Sequence, residues 1–536
     1  MIRFLATHAV AAARSRLFFC ALAAAFSVAF PLTPLRAAIT ATGDVEPADP
    51  ATWGGNTTDY VGNTADGALT VNSGSTVGSA GCYVGFNSGV TGSVTVDGAG
   101  STWTGGLLTV GEYGNGSFTV TGGGSVGGSG AMVFIGDGSG SVGVVTVDGS
   151  GSTLNTPNET LWIDGGGSGT LNITRGATVV VEDVSIGFGA AQSSSDIVNI
   201  DGNGSTLKGP DNPSAHGLVM NISVGGGRSA KLNVTGGGAV NSNGNFIDLG
   251  GVVNVDGAGS TWTAGYEIVL GQQTYGTLNI SGGGAVETGS VSVSASSAIG
   301  IDVGKGNALA LTDTLTNNGT IRLAAGAGAS AGQPYSPITA TTWTGTGTYQ
   351  ALGGTWNNTT HQFTVSNVLS GPAGTQLTID LENEQRVLFS DDPSRTGWSV
   401  GASFLSSTTS KPLSVTATTI GGSTFTALQS LLGPQQSILG GWEFAFASGY
   451  TEGDPAYLSF GIGSGYSRNG LEVWHFDGST WTPFSADDLT YDGTYASFTV
   501  TGFSGYAVTT VPEPSMLALL LAAAMGIFAY GRWKTS

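Results

Sequence analysis

The sequence predicts an all-β protein: a parallel β-helix, or β-solenoid, followed by a β-sandwich-like domain and a C-terminal transmembrane helix. Three observations predict it. A unit of alternating apolar residues closed by a Gly-rich turn recurs about every 25 residues, a period that marks stacked repeats. Beyond residue 337 the period is lost and short alternating runs rich in aromatic residues take over. The chain ends in an apolar run at 516–530, followed by Arg532 and Lys534.

The clearest copies of the unit are VTVDGAGSTW at 94–103 and FTVTGGGSV at 118–126. The last apolar residue before the turn, here called the anchor, falls at Val71, Val96, Val120, Val147, Ile173, Ile200, Val234, Val255, Ile280 and Ile301. Two positions earlier runs a second apolar series: Leu69, Val94, Phe118, Val145, Leu171, Val198, Leu232, Val253, Leu278 and Ile299. Between them stand Thr70, Thr95, Thr119, Thr146, Asn172, Asn199, Asn233, Asn254 and Asn279. Successive side chains of a strand face opposite sides. The aliphatic series is therefore expected inside and the Thr/Asn row outside, where amides and hydroxyls can hydrogen-bond along the stack.

Two kinds of unit alternate. Asp97, Asp148, Asp201 and Asp256 follow every second anchor, and there the next apolar residue comes seven positions on, at Trp103, Leu154, Leu207 and Trp262. In the intervening units it comes six positions on, at Val77, Val126, Val179, Val240 and Val286. Both sets must point inward, so the Asp-Gly class carries one extra turn residue. A third apolar patch ends in Gly111, Gly136, Gly187, Gly225 and Gly271. Two or three short strands per coil with Gly turns describe a β-helix. A coil of about 25 residues is too short for the four strands of a propeller blade.

Taken in order, residues 1–37 read as a secretory signal peptide. Arg3, Arg14 and Arg16 precede an apolar core at 17–30, and Ala37 is a small residue for cleavage. A membrane anchor is disfavoured because that core is shorter than the roughly 20 residues a span needs. Cys20 falls within it, which leaves Cys82 alone, unable to form an internal disulfide and expected as a small buried side chain. The repeat domain covers 44–323. Residues 324–337, AAGAGASAGQPYSP, read as a linker. Residues 338–510 form the sandwich-like domain, with strands near 376–381, 442–447, 456–462, 471–476, 496–500 and 506–510 and turns at Asp477-Gly478 and Asp492-Gly493. Trp442, Trp474, Trp481, Phe498 and Tyr506 are expected to form its core, a sugar-binding aromatic platform being the alternative. Residues 423–432 carry a short helical turn.

Glycine is 91 of 536 residues, charged residues are 10%, and the net charge is -20. The strict alternation argues against disorder. The acidic balance argues against a nucleic-acid partner, which needs a basic surface.

Chemistry-bearing patterns are sparse. His216, His361 and His475 have no metal-ligand spacing. The nucleophile-elbow match at 123–127 and the dinucleotide-pattern match at 122–127 lack the strand-turn-helix context their mechanisms need. A polysaccharide lyase or hydrolase is the enzymatic alternative, since β-helices often host them. The turn aspartates, however, recur by register as turn formers do. The pairs Glu182-Asp183 and Asp487-Asp488 are expected to be solvated. No catalytic, cofactor or metal residue is assigned. The acidic turns, FIGDGSG at 134–140 among them, leave weak calcium binding through oxygen ligands open.

The C-terminus reads VPEPSMLALLLAAAMGIFAYGRWKTS. Val511, the Pro512-Glu513-Pro514 tripeptide, the apolar run and then Arg532 and Lys534 stand in the order of the PEP-CTERM sorting signal of Gram-negative bacteria, which this segment, 511–536, resembles. The two basic residues are split by Trp533, where that family often has a denser cluster. The repeats resemble those shared by PEP-CTERM proteins and autotransporter passengers. VDGAGSTWT, at 96–104 and again at 255–263, is the most recognisable piece, and the likeness covers about half of the chain. The stretches 471–484 and 491–508 look like the β module often found between such repeats and the sorting tail.

The resemblance implies a surface or extracellular-matrix protein in an exopolysaccharide or biofilm setting. It implies transient inner-membrane anchoring through the C-terminal helix and processing by an exosortase-type protease, and no catalytic residues. Basic residues after a membrane segment stay cytoplasmic, which would put the body of the chain outside. An autotransporter passenger is disfavoured because no run of barrel strands follows the repeats. The expectation is an exported structural or adhesive protein.

Overall fold

The computed structural model describes residues 38–511 except 55, 129, 164, 188–194, 212–217, 223–228, 243–247, 250, 272–274, 305–307, 392–397 and 408–411, and the side chains of 248–249. The segments read as a signal peptide and a transmembrane helix, and all of the segment read as a sorting signal except Val511, lie outside the described residues. Among those described, no helix is long and apolar enough to cross a membrane.

The protein is all-β, built on a solenoid of about ten turns. The anchors stack in register from coil to coil: Val71 pairs with Val96, Val96 with Val120, Ile200 with Val234, Val234 with Val255, and Ile280 with Ile301. The second series stacks alongside, and both are buried. The six-or-seven offset is absorbed as expected, since Val77 lies beside Trp103 and Val126 beside Leu154. A single apolar core runs from Val45 to Val365. Cys82 is buried within it.

The turn motif D-G-x-G-S is explained by contacts to both neighbouring coils. Its Asp accepts from a hydroxyl of the next coil: Thr174 Oγ1 to Asp148 at 2.7 Å, Thr235 Oγ1 to Asp201 at 2.6 Å, and Ser281 Oγ to Asp256 at 2.7 Å. Its Ser is buried and accepts a backbone N–H from the preceding coil, as Ser152 does from Gly123 at 3.1 Å and Ser260 from Gly237 at 3.1 Å. Above Asp97, Asp201 and Asp256 stands a glycine with no room for a side chain. At Gly236, with φ +60°, a Cβ would sit 2.7 Å from Asp201 Oδ1. Arg175 takes the equivalent place above Asp148 at φ 53° and instead reaches back to that carboxylate with Nε at 2.6 Å. Burial pushes the Asp148 carboxyl up, but the Arg175 and Thr174 hydrogen bonds outweigh it and hold it below the usual range.

The stack departs from expectation in two places. In the coil containing ISVG, Ile222 pairs with Ile186, so the inward position lies two residues before Val224. The stack also continues past residue 323: Thr320–Ala325 pairs in parallel with Thr348–Leu352, and strands at Ile338–Thr339 and Thr342–Thr344 complete one more coil. The stretch read as a linker is therefore part of the fold. The buried Arg386 clamps it, donating to the carbonyls of Gly326 at 2.7 Å, Ala327 at 3.1 Å and Ala329 at 3.0 Å.

Both ends of the stack are closed. Ala38–Gly43 runs antiparallel along the first coil, Gly67–Asn72. A hairpin, Gly354–Asn357 with Gln362–Val365, covers the last coil and brings Trp356 against Tyr349 and His361 against Trp343. Open strand edges invite pairing with other chains, and these segments pack over the two ends of the stack.

The remaining residues form two six-stranded sheets over one apolar core. The first sheet contains Arg386–Ser390, Ser399–Phe404, Ala456–Gly461 and Tyr495–Val500, and the second contains Pro412–Thr419, Ile438–Ser448, Gly505–Thr510 and Leu471–Phe476. Trp442, Phe498 and Tyr506 are in that core. Trp481 is not. It joins Ile420, Leu428 and Ala507 on the far face of the second sheet, beneath the one α-helix among the described residues, α1 (Gly422–Leu431), and donates to Thr424 O at 3.1 Å. Trp474 packs half-buried at the margin of that cluster.

Candidate functional site

The outer row of the solenoid forms a one-way amide ladder. Asn199 Nδ2 donates to Asn172 Oδ1 at 2.9 Å, Asn233 to Asn199 at 2.9 Å, Asn254 to Asn233 at 2.8 Å, and Asn279 to Asn254 at 2.9 Å. Each Asn sits where its strand's side chain points out of the core, and parallel register brings the amides within reach. The row is not open to solvent throughout, as the alternation alone implied. Asn233, Asn254 and Asn279 are only 8%, 3% and 6% exposed.

The first sheet of the second unit covers them. Its strands turn apolar residues into the sandwich core and small polar ones, Ser403, Ser459 and Ser497, toward the solenoid. Ser403 Oγ donates to Ala325 O at 2.6 Å, and Ser459 Oγ accepts from Ala327 N at 3.1 Å. Lys231 pairs with Asp487 at 2.6 Å, Asn279 also donates to Asp487 O at 3.3 Å, and Thr490 donates to Asp256. Asp488 accepts the Thr499 N–H at 3.0 Å. The Asp487-Asp488 pair thus lies in a protein interface, although the Asp487 side chain keeps partial exposure. A small, partly open cavity of about 20 Å³ between Arg322, Asp302, Asp488 and Tyr457 has room for one water.

Toward the earlier coils an open cleft of about 710 Å³ separates the ladder from the edge of the second sheet, at Leu471–Phe476 and Trp481–Phe484. One wall is the exposed part of the ladder, with Asn172, Asn199 and Asp201. The other carries Arg468, Glu472 and Phe484. The volume is within the range of small-ligand sites. Arg468 sits on a 3₁₀ turn, Arg468–Gly470, and its Nε donates to Leu489 O at 2.9 Å. Burial pulls its guanidinium below the usual arginine range, while the fields of Asp256, Asp487 and Asp488 oppose this.

The other residues singled out by sequence are dispersed. Of the residues read as a sorting signal, only Val511 is described; its N–H donates to Gly470 O at 2.7 Å, so the chain leaves the described structure beside the turn that carries Arg468. Pro512, Glu513, Pro514, Arg532 and Lys534, like His216, lie outside the described residues. His361 stacks on Trp343, and His475 hydrogen-bonds Ser504 at 2.8 Å. Glu182 and Asp183 are half-buried on the strand Thr178–Ile186. No group of three or more metal-ligating side chains occurs among the described residues. Trp442, Trp481, Phe498 and Tyr506 are buried and form no surface platform.

Sequence reasoning missed an outward stripe on the third face. Tyr60 and Tyr83 stack at 5.5 Å, Phe134 and Trp162 at 6.2 Å, and Phe86 packs edge-on to both tyrosines. Beside it Glu112 and Asp137 lie on consecutive coils in contact with each other, and burial raises both carboxyls. The signal was present, because Tyr60, Tyr83, Phe134 and Trp162 directly precede the inward aliphatic of the third strand. No protein-family model, no curated protein and no solved structure matches the chain.

Proposed function

We propose that the chain is an exported structural or adhesive protein, displayed on the cell surface or in the extracellular matrix and in contact with matrix polysaccharide. Residues 1–37 direct export. Residues 511–536 anchor the chain in the inner membrane as a PEP-CTERM-type sorting helix until an exosortase-type protease processes it. The observation that carries the reading is the amide ladder opening into the cleft. It places rows of hydrogen-bonding groups, suited to sugar hydroxyls, on a stack closed at both ends. Fractionation of cells making the full chain and a chain lacking 512–536, with mature termini found by mass spectrometry, tests it. The expected result is surface or matrix location for the full chain and secreted or periplasmic accumulation for the truncated one. Unchanged surface location of the truncated chain would sink the sorting role.

A second reading, a polysaccharide-cleaving enzyme, draws on the adjacent carboxyls of Glu112 and Asp137 beside Tyr83. Their mutual contact weighs against it. The carboxyls that flank a glycosidic bond stand about 5 Å or more apart. Turnover of a polysaccharide that vanishes in Glu112→Gln would favour this second reading.

A further inference from the structure

The cleft between the ladder and the edge of the second sheet is lined by a cation, Arg468. Arg468 is half-buried in the wall of the cleft, and no carboxylate among the described residues lies within ion-pair distance of it. Its Nε is spent on Leu489 O, while its terminal nitrogens have no protein partner among the described residues. The acids nearest in field are committed elsewhere: Asp256 to Ser281 and Thr490, Asp487 to Lys231, and Asp488 to the Thr499 backbone. Guanidinium stays protonated at neutral pH, and its fork of donors matches a carboxylate through two parallel hydrogen bonds. A half-buried guanidinium whose terminal donors face a cleft gains from an anion that enters it.

The opposite wall sets the kind of anion. Each ladder Asn spends its Oδ1 and one N–H on its neighbours. The second N–H of Asn172 and of Asn199 is left on the cleft side, two donors at the strand spacing of about 4.8 Å. Phe484 adds an apolar face to the same cavity. Asp201 and Glu472 also line it, which suits hydroxyl donors and opposes a polyphosphate. The ladder strands are already paired with their neighbours on both sides, so no free edge exists here for an added peptide strand.

We propose that this cleft binds an acidic saccharide strand, a uronate carboxylate held by Arg468 and adjoining hydroxyls held by Asn172 and Asn199. The proposal rests on the reading of the protein as a polysaccharide-contacting one and gives that reading a site and a sugar class.

Titration calorimetry on the secreted chain tests it, with short oligouronates, neutral oligosaccharides of equal length, and acetate as probes. Oligouronate is expected to bind at least tenfold more tightly than the neutral sugar. Arg468→Gln is expected to remove that preference, and Arg468→Lys to restore it only in part, because an ammonium cannot make the paired contact. Arg468 also packs at the interface, so Glu472→Gln, a change at an exposed position, provides a variant that keeps the fold. It removes a repelling charge and is expected to tighten oligouronate binding two- to fivefold. Equal binding of neutral and acidic sugars, unaffected by either substitution, would overturn the proposal. So would binding of acetate as tight as that of oligouronate, which would mark a simple anion site. Failure to bind oligouronate by a chain that still reaches the cell surface would sink the cleft assignment and leave surface display intact. Binding by a chain that never leaves the cell would do the reverse.

Discussion

Asn254 donates its side-chain N–H to Asn233 Oδ1 at 2.8 Å, and both side chains are buried although both point out of the solenoid core. The ladder is therefore an interior layer in these coils, between two β structures.

That placement ranks three substitutions. Val234→Asp puts a carboxylate into the apolar stack and is expected to cost several kcal/mol. Asn233→Asp keeps the acceptor for Asn254 but turns the donor to Asn199 into a second acceptor. Flipping Asn199 passes the mismatch to Asn172 and finally to the Thr146 hydroxyl, which can adapt. The remaining cost is the buried charge, expected at about 1–3 kcal/mol. Thr95→Asp, on the partly exposed part of the row, is expected to cost well under about 1 kcal/mol. Thermal unfolding at neutral pH measures all three. A cost for Asn233→Asp no larger than for Thr95→Asp would show that the second unit does not cover the ladder in solution.

Asp59 gives a pH-dependent test. Its side chain points into the core beside Cys82, and neither carboxylate oxygen has a hydrogen-bond partner. Burial raises its carboxyl above the usual range, opposed in part by the nearby Ser79 and Thr57 hydroxyls. The folded state then holds the proton more tightly than the unfolded state does. Stability is highest below the unfolded pKa of about 4 and falls as pH rises through the raised folded value. Asp59→Asn is expected to raise the unfolding temperature at pH 7 and to change it little at pH 3. A stabilisation equal at both pH values would disprove the ionisation argument.

Arg386 ties the two units through backbone oxygens of the small-residue stretch that follows residue 325. Burial draws its guanidinium below the usual range, and the carbonyls have no other donor of comparable strength. Arg386→Leu is expected to cost at least about 2 kcal/mol, since hydrogen bonds to charged groups are worth about 1.5–3 kcal/mol. Limited proteolysis should then cut first within 326–333. Unchanged protection of that stretch would show that the coil holds without the clamp.

The solenoid was legible because two local signals agreed, the period-2 alternation and the turn chemistry. All ten anchors stack as their spacing requires, including across the six-or-seven offset. The added coil ending at Leu352 escaped notice because its turns carry no D-G-x-G-S motif. The slip at Ile222 escaped because ISVG offers two aliphatics of the same parity. The candidate site was the least legible part. Lys231 and Asp487, or Thr490 and Asp256, meet across more than two hundred residues, and alternation says only that a side chain leaves its own core. Arg386, lodged in the apolar run RVLFS away from that site, carried a charge that signalled buried partners.

The contacts of the D-G-x-G-S turn also govern how the rod can change length in evolution. Asp reaches to the next coil and Ser to the previous one, and both neighbours belong to the other class of unit. Losing or duplicating a single coil would set like against like and leave either an Asp or a Ser without its counterpart. Two coils removed or inserted together restore every rung. The growth increment is a doublet, about 10 Å of axis, and the reach of the molecule changes in those steps.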